Sequence, residues 1–181
     1  MDTQPPAAPA PAALKAVVAE LELHADAAGW DRPPMLYALV DTAELVAAEP
    51  SLADQLGLTP ETITPGTLTP IEQEPLGDKP LDEALARIAW PEAVLGCALV
   101  QEVLVLPPGA EQRQPDGADP VAWAADHAER REVRMTVAVL RSGARAAALR
   151  IRPTGPEDRA EAAFGEDLAP NLAAALLATL D

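Results

Sequence analysis

Two runs of strict alternation constrain this chain more than any other feature. Val133, Met135, Val137 and Val139 are apolar, with Arg134, Thr136 and Ala138 between them, and Ala147, Leu149 and Ile151 alternate with Arg150 and Arg152. A period of two places successive side chains on opposite faces of a strand, and Ser142-Gly143 between the runs supplies a tight turn. The pattern predicts a β-hairpin with one buried face and one partly basic face. Two strands alone do not hold together in water, so the rest of the chain must extend and cover them.

Two further segments read as strands. Met35 to Val40 is short, almost wholly apolar and preceded by Pro33-Pro34, which predicts a strand covered on both faces. Val94 to Leu106 predicts a longer strand, with a bulge or an edge where polarity breaks at Gln101-Glu102. Helices are marked by a different period. Leu14, Val17, Val18, Leu21, Ala25 and Ala28 follow i, i+3, i+4, i+7 spacing with Gly29 placed as the C-terminal cap, and Lys15, Glu22 and Asp26 are expected on the polar side. Asp41 and Glu44 have the spacing of a capping box, so a helix is expected to start there, interrupted near Pro50-Ser51 and ended by Gly57. Leu81, Ala84, Leu85 and Ile88 predict a short helix. Asp119-Pro120 opens another through His127, and Leu168, Leu172, Leu176 and Leu180 predict a last one with Asp167 as cap.

Between Leu58 and Pro80 a proline falls at every fifth position: 60, 65, 70, 75 and 80. That spacing fits no regular element, so an irregular, stiff surface loop is expected. Residues 153 to 165 read as an acidic connector, and residues 1 to 11 as a disordered Pro/Ala tail. With strands gathered late and joined by short turns, the order predicts an α+β fold: a mostly antiparallel sheet of about four strands with helices packed against it. Residues 12 to 181 form a single domain in this reading.

The chain has 29 acids against 13 bases, a formal net charge of -16. Such a surface repels nucleic acid and anionic lipid, and the five aromatics, Trp30, Tyr37, Trp90, Trp123 and Phe164, offer few platforms for base stacking. No nucleic-acid or membrane partner is expected. There is no dinucleotide or P-loop glycine motif, and the two serines, Ser51 and Ser142, occupy ordinary turn and cap positions. The lone Cys97 sits in an apolar run and reads as a buried hydrophobe of a reducing, cytoplasmic compartment. His24, four residues after Glu20, and His127 read as solvated or capping residues. No metal and no cofactor is expected.

Two features read as interaction sites. Glu72 and Glu74 form a carboxylate cluster held by stiff neighbours in the proline-rich segment, suited to a cation or a basic partner, or else serving only as polar residues of a solvated loop. Seven arginines against two glutamates make residues 129 to 152 net positive, and Arg134, Arg150 and Arg152 on the hairpin match carboxylates or phosphates bidentately. The same arginines also read as strand charges that find intramolecular carboxylates and discourage edge pairing.

The segments Leu68 to Glu74, Ala86 to Pro91 and Gly96 to Val100, with Gly29-Trp30-Asp31 and Arg131 to Arg134, resemble an uncharacterised family of small acidic actinobacterial proteins with no assigned activity. The resemblance implies a bacterial cytoplasmic protein. The scarcity of nucleophiles and metal ligands, together with the acidic surface, leads to the expectation of a non-enzymatic interaction protein, an adaptor or chaperone-like module with a protein partner, a homodimer being one option. The alternative is a small anionic-ligand-binding domain using the hairpin arginines. An enzyme would have to work through Glu72, Glu74 or Glu102.

Overall fold

The computed structural model describes residues 9–107, 109–158 and 161–181. The elements run α1 (Pro11–Ala28), β1 (Met35–Asp41), α2 (Thr42–Ala48), α3 (Pro50–Gln55), β2 (Leu68–Glu72), α4 (Leu81–Leu85), β3 (Val94–Val105), α5 (Pro120–Asp126), β4 (Arg131–Leu140), β5 (Arg145–Ile151), β6 (Ala163–Gly165) and α6 (Pro170–Ala178). The strands form one sheet in the order β2-β1-β3-β4-β5-β6, and every neighbouring pair is antiparallel. The α+β class is as expected, but the sheet has six strands rather than about four. Residues 1–8, most of the expected tail, lie outside the described residues, and α1 opens at Pro11.

Both missed strands lie at the sheet's edges, inside segments expected to be irregular. β2 falls in the proline-rich run, where Pro70 stands opposite Leu39 of β1. A proline that forbids a central strand is tolerated at an edge, where one side of the backbone needs no partner. β6 is three residues long and pairs with β5 through Phe164 and Ala148. It is too short to carry a readable alternation. Of the two expectations at Gln101-Glu102, the edge is found and the bulge is not: β1 pairs with β3 only as far as Val100, while β3 stays in register with β4 from Gly96 to Val105, and the irregularity lies on the β1 side, at Leu39/Val40.

The sheet is covered on both faces. Leu14, Val17, Val18 and Leu21 of α1 pack on Tyr37, Leu39, Ala98, Val100, Ala138 and Ala148. On the opposite face, Ala173, Leu176 and Leu180 from the last segment, with Leu85 of α4, cover Leu36, Cys97, Leu99, Val137 and Val139. The hairpin therefore has no solvent face at its centre. Its valines turn toward α6, while Arg134, Thr136 and Ala138 turn toward α1, and all six are buried. Gly96 marks a close approach between β3 and β4: a Cβ there would lie 2.2 Å from the Val139 carbonyl oxygen. Small residues at Gly96, Ala98, Ala138, Ala146 and Ala148 let a core poor in aromatic rings close under α1.

Several caps match their sequence signals. Gly29, at φ 87°, donates its N–H to the carbonyls of Ala25 and Asp26, and Asp41 accepts from the Glu44 N–H at 3.0 Å. Asp119 accepts from the Val121 N–H ahead of Pro120. Asp167 does not cap α6. Its carboxylate pairs with Arg145, and Ala169 takes the cap position. Arg141 holds the C-terminal end of the chain to the sheet, donating to the carbonyls of Val94, Pro91 and Leu180.

Candidate functional site: a cleft at the end of the first helix

The basic face of the hairpin runs beneath the C-terminal half of α1. Glu22, expected on the polar side of that helix, is 1% exposed, as is Arg134. The helix period accounts for this: Glu22 follows Val18 by four residues and so faces the sheet above Arg134 and Arg150. Its Oε1 receives Arg150 Nε and lies 3.9 Å from Arg134 Nη1, while Oε2 is buried without a hydrogen-bond partner. Asp26, one turn later, lies 3.5 Å from both Arg134 Nη1 and Arg150 Nε. Carboxylates separated by four residues on one helix thus meet arginines directly opposite in register on β4 and β5.

The turn after α1 completes the arrangement. Arg134 Nη2 donates to the Gly29 carbonyl at 3.1 Å, and its guanidinium lies 4.3 Å from the centre of the Trp30 ring. Arg152 lies 5.5 Å from the same ring and binds both carboxylate oxygens of Asp31, at 2.8 and 3.0 Å, as well as Glu132 at 2.9 Å. Glu102 on β3 grips the turn from the other side, accepting the Asp31 N–H at 2.8 Å and the Arg32 N–H at 2.9 Å. Asp31 has φ 64°, a conformation that a side chain other than glycine's seldom adopts. The hydrogen bond from Arg152 holds the Asp31 carboxyl below the usual carboxylate range, and the same partnership raises Arg152.

Beside this clamp opens a cleft of about 350 Å³. Its apolar wall is formed by Ala25, Ala28, Met35 and Val100, and polar groups at its edge come from His24, Arg32, Tyr37, Glu72 and Glu102, with Arg134 behind. Tyr37 lies opposite Glu72 across β1 and β2. Burial, reinforced by the Glu72 charge, raises the Tyr37 phenol above its ordinary value.

The fold brings several expected site residues together. Glu72 and Arg134, read as parts of separate features, line one cleft, and Arg150 and Arg152 stand in the ion-pair layer next to it. Glu74 is exposed beyond the end of β2 and is not part of the lining. Arg134 is buried and Arg152 is bound to two carboxylates. The hairpin arginines therefore match the intramolecular reading of these charges, with Glu22, Asp26, Asp31 and Glu132 as partners. Glu102, a carboxylate that an enzyme could use, is committed to the Asp31 and Arg32 N–H groups. His24 borders the cleft, and neither its spacing to Glu20 nor any motif pointed to that position.

Outside the cleft, Cys97 is buried under α6, 3.6 Å from the Thr179 hydroxyl and 3.7 Å from the Leu176 carbonyl. Burial pushes its thiol up to about 11. His127 accepts the Glu129 N–H on Nδ1 and meets the Trp123 ring edge-on. Among the described residues, no three of His, Cys, Asp and Glu are grouped so as to hold a metal ion, and no helix is long and apolar enough to cross a membrane.

Residues 14–181 match the PPA1309-like protein family, so the chain belongs to that family. No curated protein and no solved structure matches it.

Proposed function

We propose that this member of the PPA1309-like family is a non-enzymatic, cytoplasmic interaction protein, an adaptor or chaperone-like module that holds a segment of a partner protein in the cleft at the end of α1. The observation that carries this reading is the combination of an open apolar wall with the exposed carboxylate of Glu72 at its mouth. An apolar side chain from the partner enters beside Met35 and Val100, and a flanking base meets Glu72. The net charge of -16 favours approach of a basic segment from a distance. Non-enzymatic action agrees with how the reactive groups are used: Cys97 is buried with a raised pKa, and Glu102 and Asp31 are spent on the turn. The abundance of Arg and Ala over Lys accords with an actinobacterial source.

A small anionic ligand bound by the hairpin arginines is the less favoured alternative, because such a ligand would have to displace Glu22 and Asp26 from Arg134 and Asp31 and Glu132 from Arg152. Only the Arg134–Glu22 pair is fully buried, and breaking a buried pair of that kind costs about 3–5 kcal/mol.

The test replaces Ala28, an exposed residue in the cleft wall, with arginine, filling the cleft without touching the core. Proteins recovered with the tagged wild type from host extract are compared with those recovered with Ala28→Arg, and the leading candidate is then purified and titrated against both. Direct binding that weakens at least about tenfold in Ala28→Arg is expected, roughly 1.4 kcal/mol. Equal binding by the two proteins rejects the cleft as the docking site, and the absence of any direct binder rejects the interaction reading.

A further inference from the structure

The two edges of the sheet are protected differently. β2 ends the sheet with Pro70 inside the strand, a residue without an N–H to offer. β6 ends it with Ala163, Phe164 and Gly165, whose outer side meets no strand among the described residues. Phe164 is 58% exposed, whereas the other four aromatic residues are buried or half-buried. An aromatic ring placed on an open strand is costly to leave in water, and it supplies a large contact area to an incoming chain.

Two more observations specify what comes to this edge. A pocket of about 220 Å³ opens between α1 and the β5–β6 pair, with Val18 and Ala146 inside it and Phe164, Lys15 and Glu166 around it. It is sized for one aliphatic side chain. Residues 157–167 contain five acids, Glu157, Asp158, Glu161, Glu166 and Asp167, against one arginine. All five acids are exposed; Glu157, Asp158 and Glu161 precede the strand, while after it Glu166 lies 3.7 Å from Lys15 and Asp167 is paired with Arg145.

We infer that β6 is a strand-addition site, which receives an extended, basic segment of a partner polypeptide that pairs with the outer side of Ala163–Gly165. The backbone of the incoming segment supplies the ladder hydrogen bonds, one of its aliphatic side chains enters the pocket beside Val18 and Phe164, and its lysines or arginines meet Glu157, Asp158 and Glu161 ahead of β6. Main-chain pairing supplies affinity in this mode, and the pocket with its charged margin supplies selectivity. A second copy of this chain fits poorly. Two-fold pairing about Phe164 would set Asp167 against Glu161 of the other copy, and like charges directly opposite are unfavourable.

The experiment uses the full-length purified protein and a fluorescein-labelled decapeptide of alternating lysine and valine, followed by fluorescence anisotropy at 0.1 M salt. Three controls accompany it: the same peptide N-methylated at alternate amides, a glutamate–valine counterpart, and the protein variant Phe164→Lys, which places a charge on an already exposed strand position. Saturable binding by the lysine–valine peptide is expected, weakened about tenfold or more by N-methylation and by Phe164→Lys, and absent for the acidic peptide. Amide NMR shifts should centre on residues 147–149 and 163–165. Unchanged affinity after N-methylation, unchanged affinity in Phe164→Lys, or shifts centred on Met35 and Glu72 overturns the proposal. Ala28→Arg should bind this peptide like the wild type, so failure here and failure of the cleft reading are told apart.

Discussion

Glu102 and Arg134 stand opposite each other in register on β3 and β4, yet each grips a different part of the same turn. The carboxylate accepts the N–H groups of Asp31 and Arg32, and the guanidinium donates to the Gly29 carbonyl. The pair fixes where α1 stops and where the chain turns toward β1, and this sets the mouth of the cleft. Gly29-Trp30-Asp31 and the Arg131–Arg134 segment, far apart in the chain, belong to one contact.

Removing the acceptor should loosen that turn. Glu102→Ala is expected to cost about 1–3 kcal/mol, the usual scale for hydrogen bonds made to a charged group. Glu102→Gln should recover part of this, because one amide oxygen still accepts. Urea denaturation of the three proteins measures it, and amide exchange at Asp31 and Arg32 should accelerate in the alanine variant.

The buried layer beneath α1 should behave as a coupled unit. Arg134→Met removes the hydrogen bond to the Gly29 carbonyl and one of two arginines facing Glu22 while Arg150 still pairs with it, and a loss of about 1–3 kcal/mol is expected. Glu22→Leu combined with Arg134→Met should cost less than the sum of the two single changes, with a coupling of about 1–3 kcal/mol. Additivity in a double-mutant cycle would show that the two residues act independently.

Cys97 sets an alkaline limit. The raised thiol pKa means the folded protein keeps its proton up to about 11, while the unfolded chain releases it near the ordinary thiol value of 9.0. Above pH 9 the unfolded state then binds fewer protons than the folded one, so stability falls as pH rises toward 11. Two units of difference correspond to about 2–3 kcal/mol at the upper end. Denaturation from pH 8 to pH 10.5 should show the decline in the wild type and a shallower one in Cys97→Ala. In the native state at pH 8 the thiol should resist alkylating reagents.

At the acidic end the sign reverses. Asp31 has its pKa lowered chiefly by the hydrogen bond from Arg152, so the stabilisation it confers is present above the ordinary aspartate value and disappears as pH falls through the folded one. Carboxyl NMR titration should place Asp31 below the usual range, and Arg152→Ala should return it toward normal. An unshifted Asp31 in the wild type would contradict the clamp geometry.

Periodicity disclosed the centre of the molecule. α1, β1, β3 and the β4–β5 hairpin rest on residues whose spacing alone sorts them onto faces: Leu14, Val17, Val18 and Leu21 for the helix, and Val133 to Val139 for the strand. The margins were hidden for physical reasons. β2 contains Pro70, which argues against a strand unless its edge position is known, and β6 has three residues, fewer than a period can mark. The largest misreading concerned charge. Arg134 and Glu22 look like solvent residues one at a time, and only their partnership across a helix and a sheet makes burial tolerable. Nothing local in the chain announces that partnership. The cleft was partly legible in Glu72 and Arg134, but their proximity depends on β1 lying between β2 and β3.

Pro70 also bears on assembly. A strand added at β6 finds its ladder at one end of the sheet, while the opposite end presents a proline where a continuing ladder would need a donor. Copies of this sheet are thus poorly matched for joining end to end, and growth by that route stops early. A strand joined at β6 as proposed would therefore not be continued by another copy at the Pro70 edge, and the open edge need not become the seed of a fibre.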